Sequence, residues 1–186
     1  MRHCLSLDKG GSDVTAKLYD VIAEKLGHDS IEAFKAANRT AWQHVYYAID
    51  NVKNVTDSDH SELELGALGF WLQQRNNFPR NESSRFISIG DGFRFELDRN
   101  RNIAKLLIPQ KVTHEAYGVV TEANRFKDMV RLIKTSKAKF VFLVGGFAES
   151  KLLQNALKGG NKNKVFIIPN PSAAYPMKGA ALKGFQ

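Results

Sequence analysis

The chain has 186 residues, 43% hydrophobic and 25% charged, and carries a formal net charge of +8 from 27 Lys+Arg against 19 Asp+Glu. This length suits one domain, or two small lobes of one, with a core large enough to need no disulfide or metal staple. The single Cys4 excludes an intramolecular disulfide, no Cys/His cluster has zinc spacing, and no apolar run reaches the roughly 18 residues of a membrane span. Met1–Asp8 has no apolar signal core. A soluble α/β protein of the cytosol or nucleus is expected, with a cytoplasmic location and no membrane partner, so the sequons at Asn38, Asn54 and Asn81 read as chance matches.

The first 55 or so residues read as helices. Val14, Leu18, Ile22 and Leu26 recur at spacings of four and give a first helix one apolar stripe. Asp29 and Glu32 have capping-box spacing just after Gly27, which marks the end of one helix and the start of another. A third helix runs from about Thr40 with Trp42, Val45, Ile49 and Val52 on its core face, before the polar run Asn54–Glu62. On its polar side Tyr46, Asp50, Lys53 and Asn54 share a face, which is either a surface ion pair beside an aromatic ring or a surface turned toward a ligand.

The period then changes. Phe86–Ile89, Gly90-Asp91-Gly92 and Phe93–Leu97 predict a β-hairpin, with the Asp-Gly pair supplying the positive φ of a tight turn. Ile103–Ile108 predicts a strand ending at Pro109; the stretch Gly66–Leu72 carries no decisive signal. Thr113 is placed to cap a long helix with the stripe Phe126, Met129, Val130 and Ile133, which Ser136–Lys139 breaks. Phe140–Val144, apolar throughout, predicts a buried strand; Gly145-Gly146, a helix from about Glu149 to Lys158 and a second buried strand Val165–Ile168 complete a βαβ unit with parallel strands and a right-handed crossover.

The chemistry implied is narrow. A glycine pair at the carboxyl end of such a strand lets backbone approach a ligand, and helix-opening N–H groups favour phosphate or ribose oxygens; the same pair also serves as a plain tight turn. There is no Walker A loop, no Gly-x-Gly-x-x-Gly after a strand and no Gly-x-Ser-x-Gly elbow, and the five histidines lack metal-ligand spacing. Cys4 reads as an inert terminal thiol. After Glu149 no acidic residue occurs while six lysines do, which is either a solvated face or a field that favours anions.

The segment Lys139–Gln154, Lys-Phe-Val-Phe-Leu-Val-Gly-Gly-Phe-Ala-Glu-Ser-Lys-Leu-Leu-Gln, resembles the adenosine motif of the actin-like ATPases, and within them the heat shock 70 kDa protein 12A/12B branch. Val165–Pro169 up to Lys178-Gly179-Ala180 resembles that family's last strand and closing helix, and Gly27–Lys35 followed by Trp42 resembles its helical subdomain. The resemblance covers most of the chain, strongly at 139–154 and weakly at 55–112.

The resemblance implies an α/β fold: a partial actin-like (ribonuclease H-like) ATPase lobe with a helical plus β-hairpin subdomain. It divides the chain into an N-terminal tail (1–11), the subdomain (12–110) and a partial α/β core with the adenosine motif (111–186). In the family two lobes close over ATP. Position by position, Gly145, Gly146 and Phe147 would line the ribose and adenine, Asp50 and Lys53 would match an acidic-x-x-Lys pair over the base, and Gly10-Gly11 would loosely match a glycine-bearing turn. ATP or ADP, with Mg²⁺ in the intact family, is the implied cofactor.

The first phosphate loop, the catalytic carboxylates and the second phosphate loop have no counterpart in these residues, and Asn54 stands where the family has a basic residue. The expectation is therefore a fragment or truncated member of a chaperone ATPase, with weak nucleotide affinity and no hydrolysis by the chain alone. Two other readings stand beside it. One is an interaction module that binds a full-length relative or co-chaperone through exposed sheet surface without nucleotide. The other is nucleic-acid binding by the lysine-rich tail, which no recognition motif supports.

Overall fold

The structure, a computed structural model, describes residues 10–53, 59–75, 86–98 and 100–170. It divides into two compact units, one formed by Thr15–Ala116 and the other by the chain before and after it.

Three helices open the chain: α1 (Gly11–Leu26), α2 (His28–Ala37) and α3 (Arg39–Val52). The expected stripe of α1 is buried in full, and Val45, Ile49 and Val52 are buried on α3. The turn from α1 to α2 is Gly27, whose φ of +91° only glycine adopts readily. Asp29 and Glu32 mark this boundary, but they do not form a capping box. The helix starts at His28 with no side-chain cap, and Glu32 instead accepts from Tyr19 Oη at 2.7 Å and Lys35 Nζ at 2.8 Å.

A four-stranded antiparallel sheet follows, built from β1 (His60–Glu64), β2 (Phe86–Ser88), β3 (Arg94–Asp98) and β4 (Ile103–Pro109) in the order β1-β4-β3-β2. The hairpin β2–β3 turns where the sequence places it, with Gly90, Asp91 and Gly92 all at positive φ and Phe93 N bonded to Gly90 O at 2.8 Å. Strand β1 emerges from what reads as a polar run because only its alternate residues, Ser61 and Leu63, face the core. Gly66–Leu72 lies largely in α4 (Ala67–Gln74), an eight-residue helix too short to show a helical period against the sheet.

Helix α3 lies against β1, and α4 against β4. The latter contact is close, because a Cβ on Gly69 would come within 2.3 Å of Ala104 Cβ. Phe95, Leu106 and Ile108 from the sheet, with Phe93 just before β3, join Leu68 and Leu72 of α4 among the most deeply buried side chains of this unit.

The chain continues through α5 (Gln110–Thr121) and α6 (Asn124–Thr135). These are two helices where the sequence suggests one, and Thr113 lies inside α5 rather than capping it. The break has a geometric reason. Val120 and Phe126 are both buried, yet six residues of unbroken helix would set them roughly 120° apart around the axis. Interrupting the helix at Glu122–Ala123 brings both stripes inward.

The second unit contains the parallel pair β5 (Phe140–Phe142) and β6 (Val165–Ile167), joined by a 3-10 turn Gly146–Glu149 and α7 (Lys151–Gly159). The strand–helix–strand order and parallel pairing agree with the sequence; the expected burial does not. Phe140, Phe142, Val144 and Val165 are 58%, 65%, 49% and 52% exposed. An all-apolar strand implies cover on both faces, whereas among the described residues β5 has β6 as its one strand neighbour and the face carrying these side chains is open.

Among the described residues no helix is long and apolar enough to cross a membrane. The expected closing helix at 178–180, like residues 1–9 of the tail, lies outside the described residues.

Candidate functional site

The five residues singled out from the sequence fall into two groups, one in each compact unit. Asp50 and Lys53 sit in the last turn of α3 and at its C-cap. Their side chains are paired with each other, and Thr15 Oγ1 of α1 donates to Asp50 Oδ1 at 2.5 Å and accepts from Lys53 Nζ at 3.3 Å. This ion pair is thus more than a solvated surface contact, since Lys53 is largely buried and the trio fastens the end of α3 to α1.

Burial alone would push the Asp50 carboxyl up. The hydrogen bonds from Lys53 and Thr15, with the charge of the ammonium, outweigh it and hold the carboxyl below its usual range. Tyr46, on the same helix, is part exposed and tilts against Trp42 at 6.5 Å; Asn54 lies outside the described residues.

Gly145, Gly146 and Phe147 follow β5 directly. Gly145 adopts φ +102°, ψ 159°, a region that residues with a side chain rarely adopt, and apart from its own chain neighbours no atom lies within 4 Å of where its Cβ would be. The turn therefore needs glycine for its backbone course and leaves open space beside that backbone, as a ligand-approached strand-to-helix turn requires. It is closed by the bonds Ala148 N to Gly145 O at 3.0 Å and Ser150 N to Phe147 O at 3.1 Å. Ser150 then caps α7, its Oγ accepting from Leu153 N at 3.3 Å.

Phe147 is half-buried and stacked on Tyr117 of α5, with centroids 5.7 Å apart and planes inclined by 19°. Tyr117 Oη lies 2.8 Å from Ser150 Oγ. Sequence reasoning missed Tyr117, and no local signal marks it, because its partners lie 30 and 33 positions away.

A second feature without a sequence signal is a cleft of about 330 Å³ in the Thr15–Ala116 unit, lined chiefly by Phe34, Phe70, Trp71, Asn38, Gln74 and Asn102. Trp71 Nε1 is buried without a hydrogen-bond partner, three side-chain amides stand among the cleft's lining residues, and none of the five predicted residues borders it. Among the described residues no three His, Cys, Asp or Glu side chains gather as a metal-binding set.

The fold defines a class in outline: a mixed helix–strand protein with a helix-backed antiparallel sheet and a glycine-turn βαβ unit. No protein-family model matches the chain, and no solved structure does. Two curated proteins match: Heat shock 70 kDa protein 12A of Mus musculus and of Homo sapiens. Each is 26% identical over 188 aligned positions that take in 94% of this chain. The chain spans about a quarter of the length of these relatives, 26% in each case. The match extends over nearly the whole chain and supports a distant relationship to Heat shock 70 kDa protein 12A.

Proposed function

We propose that the chain is the adenosine-binding side of an actin-like ATPase of the heat shock 70 kDa protein 12A type, with Gly145, Gly146 and Phe147 as adenosine contacts. The observation that carries this reading is the Gly145 turn: a glycine-only backbone at the carboxyl end of a parallel strand, with open space beside it and a capped helix behind it. The alignment with Heat shock 70 kDa protein 12A and the motif at 139–154 agree with it.

Asp50 and Lys53 are carried as further nucleotide contacts by the motif alone, and their pairing with Thr15 holds them in a fixed geometry. ATP or ADP is the ligand of this reading. Mg²⁺, which the resemblance implies for the intact family, would accompany the phosphates.

The test is amide chemical-shift mapping of the chain with ATP and Mg²⁺. Saturable shifts at Gly145–Ser150 support the turn as the contact, and shifts at Asp50 and Lys53 separately support the α3 residues. A folded chain whose amides do not move overturns the reading.

The exposed row Phe140, Phe142, Val144 and Val165 favours a second reading, an interaction module that buries this face against a protein partner without nucleotide. It predicts association that rises with concentration in the absence of ATP and falls in Phe142→Ser. A monomer by sedimentation at every concentration, with no effect of the substitution, would count against self-association through this face.

A further inference from the structure

The 3-10 turn Gly146–Glu149 is not held by local propensity. It opens on two glycines, the residues with the most backbone freedom to lose, and its backbone bonds span three residues, the poorer geometry of a short 3-10 segment. Something outside the turn has to select its conformation.

Tyr117 meets that requirement at both ends. Its ring stacks on Phe147 inside the turn, and its hydroxyl lies 2.8 Å from Ser150 Oγ at the residue that ends the turn and caps α7. Tyr117 is 3% exposed and Ser150 2%, so the contact is shielded from competing water. A third tie, Gln154 Nε2 donating to Ala148 O at 2.9 Å, comes from α7 itself and cannot fix how the turn sits against another element.

We infer that Tyr117 is a positioning residue for the glycine turn: it sets the backbone course of Gly145–Phe147 against α5 and so sets nucleotide affinity without touching the nucleotide. The inference rests on the adenosine reading of that turn. Its architectural half does not, and the two can be measured apart.

The experiment uses the full chain as wild type, Tyr117→Phe, Ser150→Ala, the double variant, and Ser150→Thr as the conservative variant that keeps the hydroxyl. Three readouts are taken: thermal unfolding, hydrogen exchange of the amides from Phe147 to Leu153, and titration with a fluorescent ATP analogue plus Mg²⁺. Tyr117→Phe keeps the ring that stacks on Phe147 and loses the hydroxyl that meets Ser150 Oγ. It should therefore raise exchange in the turn selectively over α6 and β6, and weaken the analogue about three- to tenfold. The double variant should be no worse than the worse single variant, because both remove the same bond, and Ser150→Thr should stay near wild type.

Unchanged exchange in Tyr117→Phe would overturn the positioning role, and if the wild type still binds the analogue the adenosine reading survives that loss. Raised exchange in a wild-type background that binds no analogue would overturn the nucleotide reading and leave Tyr117 as the residue that sets the turn. A general rise in exchange, with a large fall in the unfolding midpoint, would show a core residue only and overturn the proposal.

Discussion

Asp50 shows how a single carboxylate ties structure to solution conditions. Its net depression below the usual range means that the bonds from Lys53 and Thr15 stabilise the folded chain only while the carboxyl is ionised. That contribution is fully present above the ordinary carboxylate value of about 3.9. It is lost as the pH falls through the lower, folded-state value. Because the Asp50 side chain is 41% exposed, solvent limits its worth, and Asp50→Asn should cost about 0.5–1 kcal/mol at neutral pH. Stability curves for wild type and variant against pH should separate at neutral pH, begin to converge below about pH 4 and meet only below the depressed folded-state value. Curves that run parallel into acid would show that the pair contributes nothing through its charge. The spacing of Asp50 and Lys53 was visible in the sequence; Thr15, the third member, was not, because it sits 35 positions away on another helix.

At the scale of elements, the α4–β4 contact makes the sharpest demand on composition. Gly69 lets α4 approach β4 so closely that a methyl group there would overlap Ala104 Cβ. Gly69→Ala gains helix propensity, which favours alanine by about 1 kcal/mol, yet has to push the helix off the sheet, an overpacking cost of about 1–3 kcal/mol. Net destabilisation is expected, and Ala104→Gly in the same chain should restore part of it. A more stable Gly69→Ala chain by denaturant unfolding would contradict the packing described here.

The elements that were legible are those whose signal is local. The stripe of α1, the Gly90-Asp91-Gly92 turn and the apolar β5 can each be read within a single short window of the sequence. Those that were not depend on distant partners. Helix α4 is short and packs by absence of a side chain, and β1 hides a two-residue core face among polar neighbours. The split of α5 from α6 answers a change of buried face that no breaker residue announces. The same logic explains why β5 was expected to be buried, since its composition reports what covers such strands in a full sheet and not what covers this one.

The whole molecule combines a strong local motif with a distant, nearly chain-long match. The fold class and the parallel βαβ unit were readable because period and glycine punctuation are properties of short windows. The candidate site was readable only as residues, since Gly145, Gly146 and Phe147 mark the turn while the residue that shapes it, Tyr117, comes from a helix with no motif at all. The Gly145–Phe147 turn is proposed to take adenine nucleotide. The most direct measurement of this is a titration of the purified chain with a fluorescent ATP analogue and Mg²⁺, beside a Gly146→Val control whose folding is checked by circular dichroism. Weak, saturable binding that the folded control loses is expected. No binding by the folded wild type, or equal binding by the control, would contradict it.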